Sequence, residues 1–115
     1  MTDSCSMAEI IEFPDFEKLD MQVGKVVTVE DVPRTKKLYK MQVDLKDKKI
    51  QIVSSLKDYY TKEELEGKLI IVLTNLKPAT FSGEKSEGML LCAEYKDKCV
   101  LLTPEKPIEI GASIT

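Results

Sequence analysis

From Met21 onward, apolar and polar residues alternate at a period of two in short runs, the signature of half-buried strands. Residues 21–30 are rich in β-branched side chains and predict a first strand with Met21, Val23, Val27 and Val29 on its core face. Gly24 inside that run predicts a bulge or the sharp coil that a small barrel needs. Residues 38–45 alternate again, with Tyr39, Met41, Val43 and Leu45 inward, and residues 49–54 return after a polar turn around Asp47, so the two form a hairpin. Residues 61–67 carry the clearest helix signal. Thr61 and Glu64 stand at capping-box spacing, and Gly67 suits a left-handed stop. Residues 68–74 are a near-continuous apolar run, as expected of a strand covered on both faces. Residues 75–87 read as a loop, and residues 88–95 and 98–103 as a last hairpin turning at Lys96 and Asp97.

The flanks are less regular. Residues 14–19 predict one helical turn with proline at its first position, placing Phe13, Phe16 and Leu19 as a plug at one end of the core. Residues 1–12 read as a flexible N-terminal arm ahead of a single domain at 13–115, and the proline-broken tail 104–112 is too interrupted for a central strand. Three strands, a helix, then further strands is the order of the oligonucleotide-binding (OB) fold. The expected class is therefore all-β, a five-stranded OB-fold barrel with a short capping helix between strands 3 and 4 and a C-terminal extension. An SH3-like barrel fits the strand count alone; the capped helix in mid-chain separates the two.

Composition narrows the chemistry. No run approaches the roughly eighteen apolar residues of a membrane span, and the start of the chain has acids where a secretory signal has basic residues. A cytoplasmic protein with no membrane contact is expected. Three cysteines are an odd number, which argues against a disulfide framework. Across the last hairpin, Cys92 and Cys99 would stand on a diagonal of roughly 7–8 Å, too far for an unstrained bridge. The chain has no histidine, so Ser-His and Cys-His nucleophile pairs are excluded and zinc loses its commonest partner. Its five glycines never assume a phosphate-cradling spacing. Glu63 and Glu64 belong to an exposed helix, where carboxylates are ordinarily solvated. No catalytic residue, metal site or cofactor is expected, and the chain reads as a binding protein without enzymatic activity.

A net charge of −3 and a pI near 5.1 point away from a nucleic-acid partner, yet phosphate binding needs a local positive face, not a positive total. Arg34, the only arginine, stands with Lys36, Lys37 and Lys40 around the loop joining strands 1 and 2, while Lys77 and Lys85 lie in the loop joining strands 4 and 5. In an OB barrel those two loops border the face that takes up single-stranded nucleic acid. Tyr39 or Phe81 would supply a stacking platform for an unstacked base. Charge alone does not separate this reading from a scatter of ordinary surface lysines.

The motifs do separate them. Val23-Gly24-Lys25-Val26, Lys37-Leu38-Tyr39, residues 59–65, Asn75-Leu76-Lys77-Pro78 and residues 86–91 occur in the order found in a known family. The chain resembles the tRNA-binding domain shared by methionyl-tRNA synthetases, stand-alone bacterial tRNA-binding proteins and the endothelial-monocyte-activating polypeptide. The resemblance implies a tRNA-contacting face lined by Ser86, Gly88 and Met89, with Asn75 and the basic residues of the first loop. Plain core packing is the other reading of Met89. The resemblance also implies a non-catalytic accessory or β-subunit that delivers tRNA to a methionyl-tRNA synthetase catalytic chain in trans. Bacterial members carry a basic residue just before the loop glycine, where this chain has Thr80-Phe81-Ser82-Gly83, a form closer to archaeal synthetase β-subunits. That departure implies weak, salt-sensitive binding. A sister group of export-type chaperones uses the same barrel to bind unfolded peptides and is the alternative. Both groups are homodimeric, and Ile10, Ile11 and residues 107–110 offer an apolar patch for such contact.

Overall fold

Eleven consecutive strand residues, Met21–Asp31 (β1), are long enough to serve two neighbours at once, and this organises the molecule. The first half of β1 pairs antiparallel with Leu69–Leu73 (β4), and the second half with Tyr39–Asp44 (β2). The computed structural model describes residues 9–115, so Cys5 and most of the expected N-terminal arm lie outside the described residues. Besides these strands it contains α1 (Phe13–Glu17), β3 (Lys49–Ser54), α2 (Lys62–Leu65), β5 (Ala79–Phe81), β6 (Glu84–Ser86), β7 (Met89–Leu90), β8 (Cys92–Tyr95) and β9 (Lys98–Leu101). The main sheet runs β3-β2-β1-β4-β7, and β6 returns alongside β3 to bring the two edges together. This is the expected five-stranded, nearly closed barrel with its short helix between the third and fourth strands.

The alternation in β2 and β3 places side chains as the sequence predicts. Tyr39, Met41, Val43, Leu45, Ile50 and Ile52 fill the core with Ile70, Val72, Leu56 and Leu65. Leu65 reaches it because Thr61 caps α2: the Thr61 hydroxyl accepts from the Glu64 amide, and the Glu64 carboxylate accepts from the Thr61 amide. Gly67 then stops the turn at φ +85°.

β1 departs from simple alternation. Its register against β2 slips between Val26 and Thr28, so one extra residue is accommodated there and the phase of the strand changes. Val26 and Val29 both face the core, and Val27, expected inside, is 40% exposed. Val23 is buried as expected, though outside the main core cluster, and Met21 is half-buried; the C-terminal tail pairs with this half of the strand, the Val23 amide donating to the Ala112 carbonyl and the Gly111 amide to the Val23 carbonyl. The bulge is thus at Val27, not at Gly24. Gly24 has another reason to be glycine, since a Cβ there would lie 2.7 Å from Val43 Cγ1 and 3.0 Å from Leu45 Cδ2. The strand can cross the core this closely only without a side chain.

Three further expectations are corrected. Phe13 and Leu19 do not plug the core; both are exposed, and with half-buried Phe16 they form an apolar groove on the outside of the barrel with Ile114. Residues 75–87 are not a plain loop, because β5 and β6 form a hairpin within them. The last hairpin is divided: β7 belongs to the main sheet, while β8 and β9 form their own two-stranded sheet after the break at Leu91. Within that small sheet the register is the predicted one, Glu94 opposite Cys99 and Cys92 opposite Leu101. The two thiols are free and half-buried against the core.

Burial, followed by a hydrogen bond with the Cys99 thiol, pushes Cys92 up to about 12. Since only the thiolate attacks, Cys92 should alkylate with iodoacetamide at pH 8 roughly a hundredfold or more slower in the native protein than in urea. Equal rates in the two conditions would contradict this burial.

Candidate functional site

The outward-facing positions of β2 and β3 form a short polar strip. Lys40 lies opposite Val53 and Gln42 opposite Gln51, and the Gln42 amide donates to Gln51 Oε1 at 3.0 Å. Gln51 Nε2 in turn donates to the Lys85 carbonyl at 2.7 Å, which ties the β5–β6 hairpin to the barrel wall. That hairpin turns in two residues, Ser82 and Gly83, at φ +51° and +84°. Two successive positive φ values belong to the tight turns whose twist matches that of paired strands, and they leave Phe81 exposed near the tip.

The residues after the hairpin close the barrel. The Val53 amide donates to Ser86 Oγ at 3.1 Å, and the Ser86 hydroxyl donates to the Gly88 carbonyl at 2.9 Å. The Gln51 amide donates to Glu87 Oε1 at 2.9 Å, and the Glu87 amide to the Gln51 carbonyl at 2.7 Å. Ser86 is only 3% exposed, so its hydroxyl is committed to the fold and does not face outward as the sequence pattern suggests. Gly88 is buried too, and a Cβ there would sit 2.8 Å from the Leu73 carbonyl oxygen. Met89 is half-buried and packs on the core.

The loop between β1 and β2 is anchored by buried Val32, whose carbonyl accepts from both the amide and the hydroxyl of Thr35. Arg34 takes a left-handed φ of +69°, and Arg34, Lys36 and Lys37 are all exposed. Tyr39 is buried, with its hydroxyl donating to the Tyr60 carbonyl, so it offers no stacking face to a base. Acids enter this region from elsewhere in the chain. Lys57 and Lys62 each approach Asp31 at 2.8 Å, and these hydrogen bonds, Lys57 first, hold the Asp31 carboxyl below its ordinary range. Lys37 approaches Asp58 at 3.9 Å. Lys40 stands 3.4 Å from both Glu30 and Glu84, and its ammonium is raised above the usual lysine value, chiefly by Glu30.

Lys40 therefore links the end of the first loop to the turn end of the hairpin through Glu84. Asn75 is placed elsewhere. Its Oδ1 accepts from the Asp20 amide and its Nδ2 donates to the Lys18 carbonyl, at the start of β1 and so at the far end of that strand from Arg34. Thr74 hydrogen bonds to Asp20 beside it. Among the described residues Arg34, Lys36, Lys77 and Lys85 have no carboxylate partner within 4.0 Å. Also among the described residues, no three His, Cys, Asp or Glu side chains gather to hold a metal, and no helix is long and apolar enough to cross a membrane.

Sequence reasoning missed Lys57 and Lys62, which join this region only because β3 and α2 fold back beside Asp31. It also missed Gln51 and Glu84. The Ser82-Gly83 pair was the available signal for the hairpin that carries Glu84.

Replacing Ser86 by Ala would strand the Val53 amide, which predicts a loss of about 1–3 kcal/mol in stability. Urea denaturation reads this as a lower midpoint, and a midpoint equal to that of the parent would show that the hydroxyl is dispensable.

Comparison with known proteins places this geometry in context. The family described as "Putative tRNA binding domain" matches residues 21–113. The methionine–tRNA ligase of Archaeoglobus fulgidus is 52% identical over 106 residues, covering 92% of this chain but 16% of the ligase. Among solved structures, a MetRS-related protein from Pyrococcus horikoshii superimposes with a TM-score of 0.88 at 40% identity, covering 94% of this chain and all of that one. A CsaA chaperone protein from Picrophilus torridus gives 0.85 at 31% identity, covering 92% of this chain and likewise all of its own.

Proposed function

Because the chain belongs to the tRNA-binding domain family, we propose that it binds tRNA, using the outer strip of β2 and β3 together with the two loops that flank it. The observation that carries this reading is the set of exposed cations, Arg34, Lys36, Lys77 and Lys85, left without carboxylate partners among the described residues on a molecule of net charge −3. Free cations release counterions when they meet phosphate, and paired ones must first break a bond. Phe81 supplies an exposed ring for stacking, and Lys37 and Lys40 add charge once their acids are displaced. Asn75, Ser86 and Gly88 act by holding the loops in place, and Met89 by supporting β7 from within.

The chain spans 16% of the Archaeoglobus ligase, and the Pyrococcus neighbour, named for its relation to that enzyme, is matched along its whole length. The proposed role is accordingly an accessory subunit that brings tRNA to a methionyl-tRNA synthetase in trans, in the cytoplasm. The likeness to a chaperone favours one rival reading, capture of unfolded peptides in the groove of Phe13, Phe16, Leu19 and Ile114.

Filter binding of bulk tRNA across a salt series separates the two. The Lys77→Glu/Lys85→Glu protein should bind roughly tenfold more weakly, with a salt slope shallower by about 0.7–0.9 for each phosphate that is no longer neutralised. Identical affinity in parent and variant would remove these residues from the interface, and a flat salt response in the parent would transfer support to the peptide reading.

We infer also that the protein is a homodimer. Ile10 is 99% exposed, and Ile11, Phe13, Leu19 and Ile108 are exposed with it, more apolar surface than scattered side chains explain. Sedimentation equilibrium should return twice the 13.0 kDa chain mass at micromolar concentration. A single-chain mass there would exclude it.

A further inference from the structure

Lys40 occupies the middle of the proposed RNA face, yet it is the most heavily neutralised of that face's cations. Its ammonium lies 3.4 Å from Glu30, its register partner on β1, and 3.4 Å from Glu84, beside the turn of the β5–β6 hairpin. The two ion pairs are unequal in exposure. Side chains of Lys40 and Glu84 are 22% and 28% exposed, whereas Glu30 is 63% exposed. Glu30 contributes more to holding the ammonium charged, and Glu84 is the partner better shielded from water.

Resting on the tRNA reading above, we propose that Glu84 is an affinity-limiting residue, an internal competitor that occupies Lys40 where an RNA phosphate would otherwise bind. The geometry fits a clasp. Glu84 stands opposite Phe81 in the hairpin and next to Lys85 in sequence, so its grip on Lys40 fixes the segment that carries the exposed ring and one of the free cations. The remaining ties of that segment, from Gln51 to the Lys85 carbonyl and from Ser86 to the Val53 amide, survive when Glu84 lets go. A phosphate reaching this face therefore exchanges one anion for another at Lys40 without unseating the hairpin. A lone phosphate gains little from that exchange. A polyanion already held by Arg34, Lys36 and Lys85 presents its phosphate at high local concentration and displaces the carboxylate. The clasp thereby favours long RNA over mononucleotides.

The test is filter binding of bulk tRNA over a salt series with the full-length parent, Glu84→Gln, Lys40→Gln and the double variant, with Glu30→Gln as a second route to a freed lysine. Glu84→Gln should bind about two- to fivefold tighter with a salt slope like the parent's, because the phosphate at Lys40 is neutralised in both complexes and only the competing carboxylate is gone. In the Lys40→Gln background the same change should give no gain. A gain that persists without Lys40 would mean that removing any acid suffices and would overturn the clasp. Failure of Glu84→Gln to tighten binding, with the parent still binding tRNA in a salt-dependent way, would overturn it while leaving the tRNA reading intact, and a gain from Glu30→Gln alone would assign the competition to Glu30 instead. Absence of salt-dependent binding in the parent would overturn both.

Discussion

The barrel depends on how the free edge of β3 is satisfied. A small sheet that curls this far must either leave a row of unpaired amides and carbonyls in the open or find partners for them. Here the returning chain meets β3 largely through side chains: Ser86 Oγ accepts from Val53, Glu87 Oε1 accepts from Gln51, and Gln51 Nε2 reaches the Lys85 carbonyl. One backbone bond, from Glu87 to the Gln51 carbonyl, completes the seam. Gly88 then lets the chain pass against Leu73 into β7, where ordinary ladder pairing resumes. Ser86 and Gly88, which the family resemblance marks as contact residues, are among those that shut the barrel.

The same seam positions the segments of the proposed interface. The seam holds the hairpin against the outer strip of β2 and β3, and the first loop is fixed by buried Val32 at the neighbouring end. Lys85 is thereby held beside that strip, and Arg34 and Lys36 stand exposed on the first loop. The acids are paired: Asp31 is spent on Lys57 and Lys62, Asp58 on Lys37, Glu30 and Glu84 on Lys40. Arg34, Lys36, Lys77 and Lys85 have no carboxylate within 4.0 Å among the described residues. Total charge is silent about this sorting, because pairing happens in space.

Legibility in the sequence followed the range of the interaction. Tyr39, Met41, Val43 and Leu45 obey a local period of two, and the cap on α2 needs only Thr61, Glu64 and Gly67, so both were readable. The bulge at Val27 was not, since a slip of register is decided by the partner strand, and nothing between Met21 and Glu30 says where β2 will shift. Gly24 attracted attention for the right reason at the wrong scale: its need is for room against Val43 and Leu45, on a strand some twenty residues later. Of the candidate site, Arg34, Lys36, Lys77 and Lys85 are exposed as expected. Ser86 was misjudged because a serine among polar neighbours reads as surface, and only the position of Val53 reveals its hydroxyl as an internal acceptor.

The side-chain character of the seam carries a thermodynamic consequence. Backbone ladders resist change, but a closure built from a serine, a glutamine and a glutamate responds to anything that pulls on the segment they hold. A ligand gripping residues 85–88 would bind only the shut form of the barrel, so occupancy and cooperativity of folding become linked quantities. Each would raise the other, and heat or denaturant that loosens this one edge would release the guest before the rest of the barrel came apart.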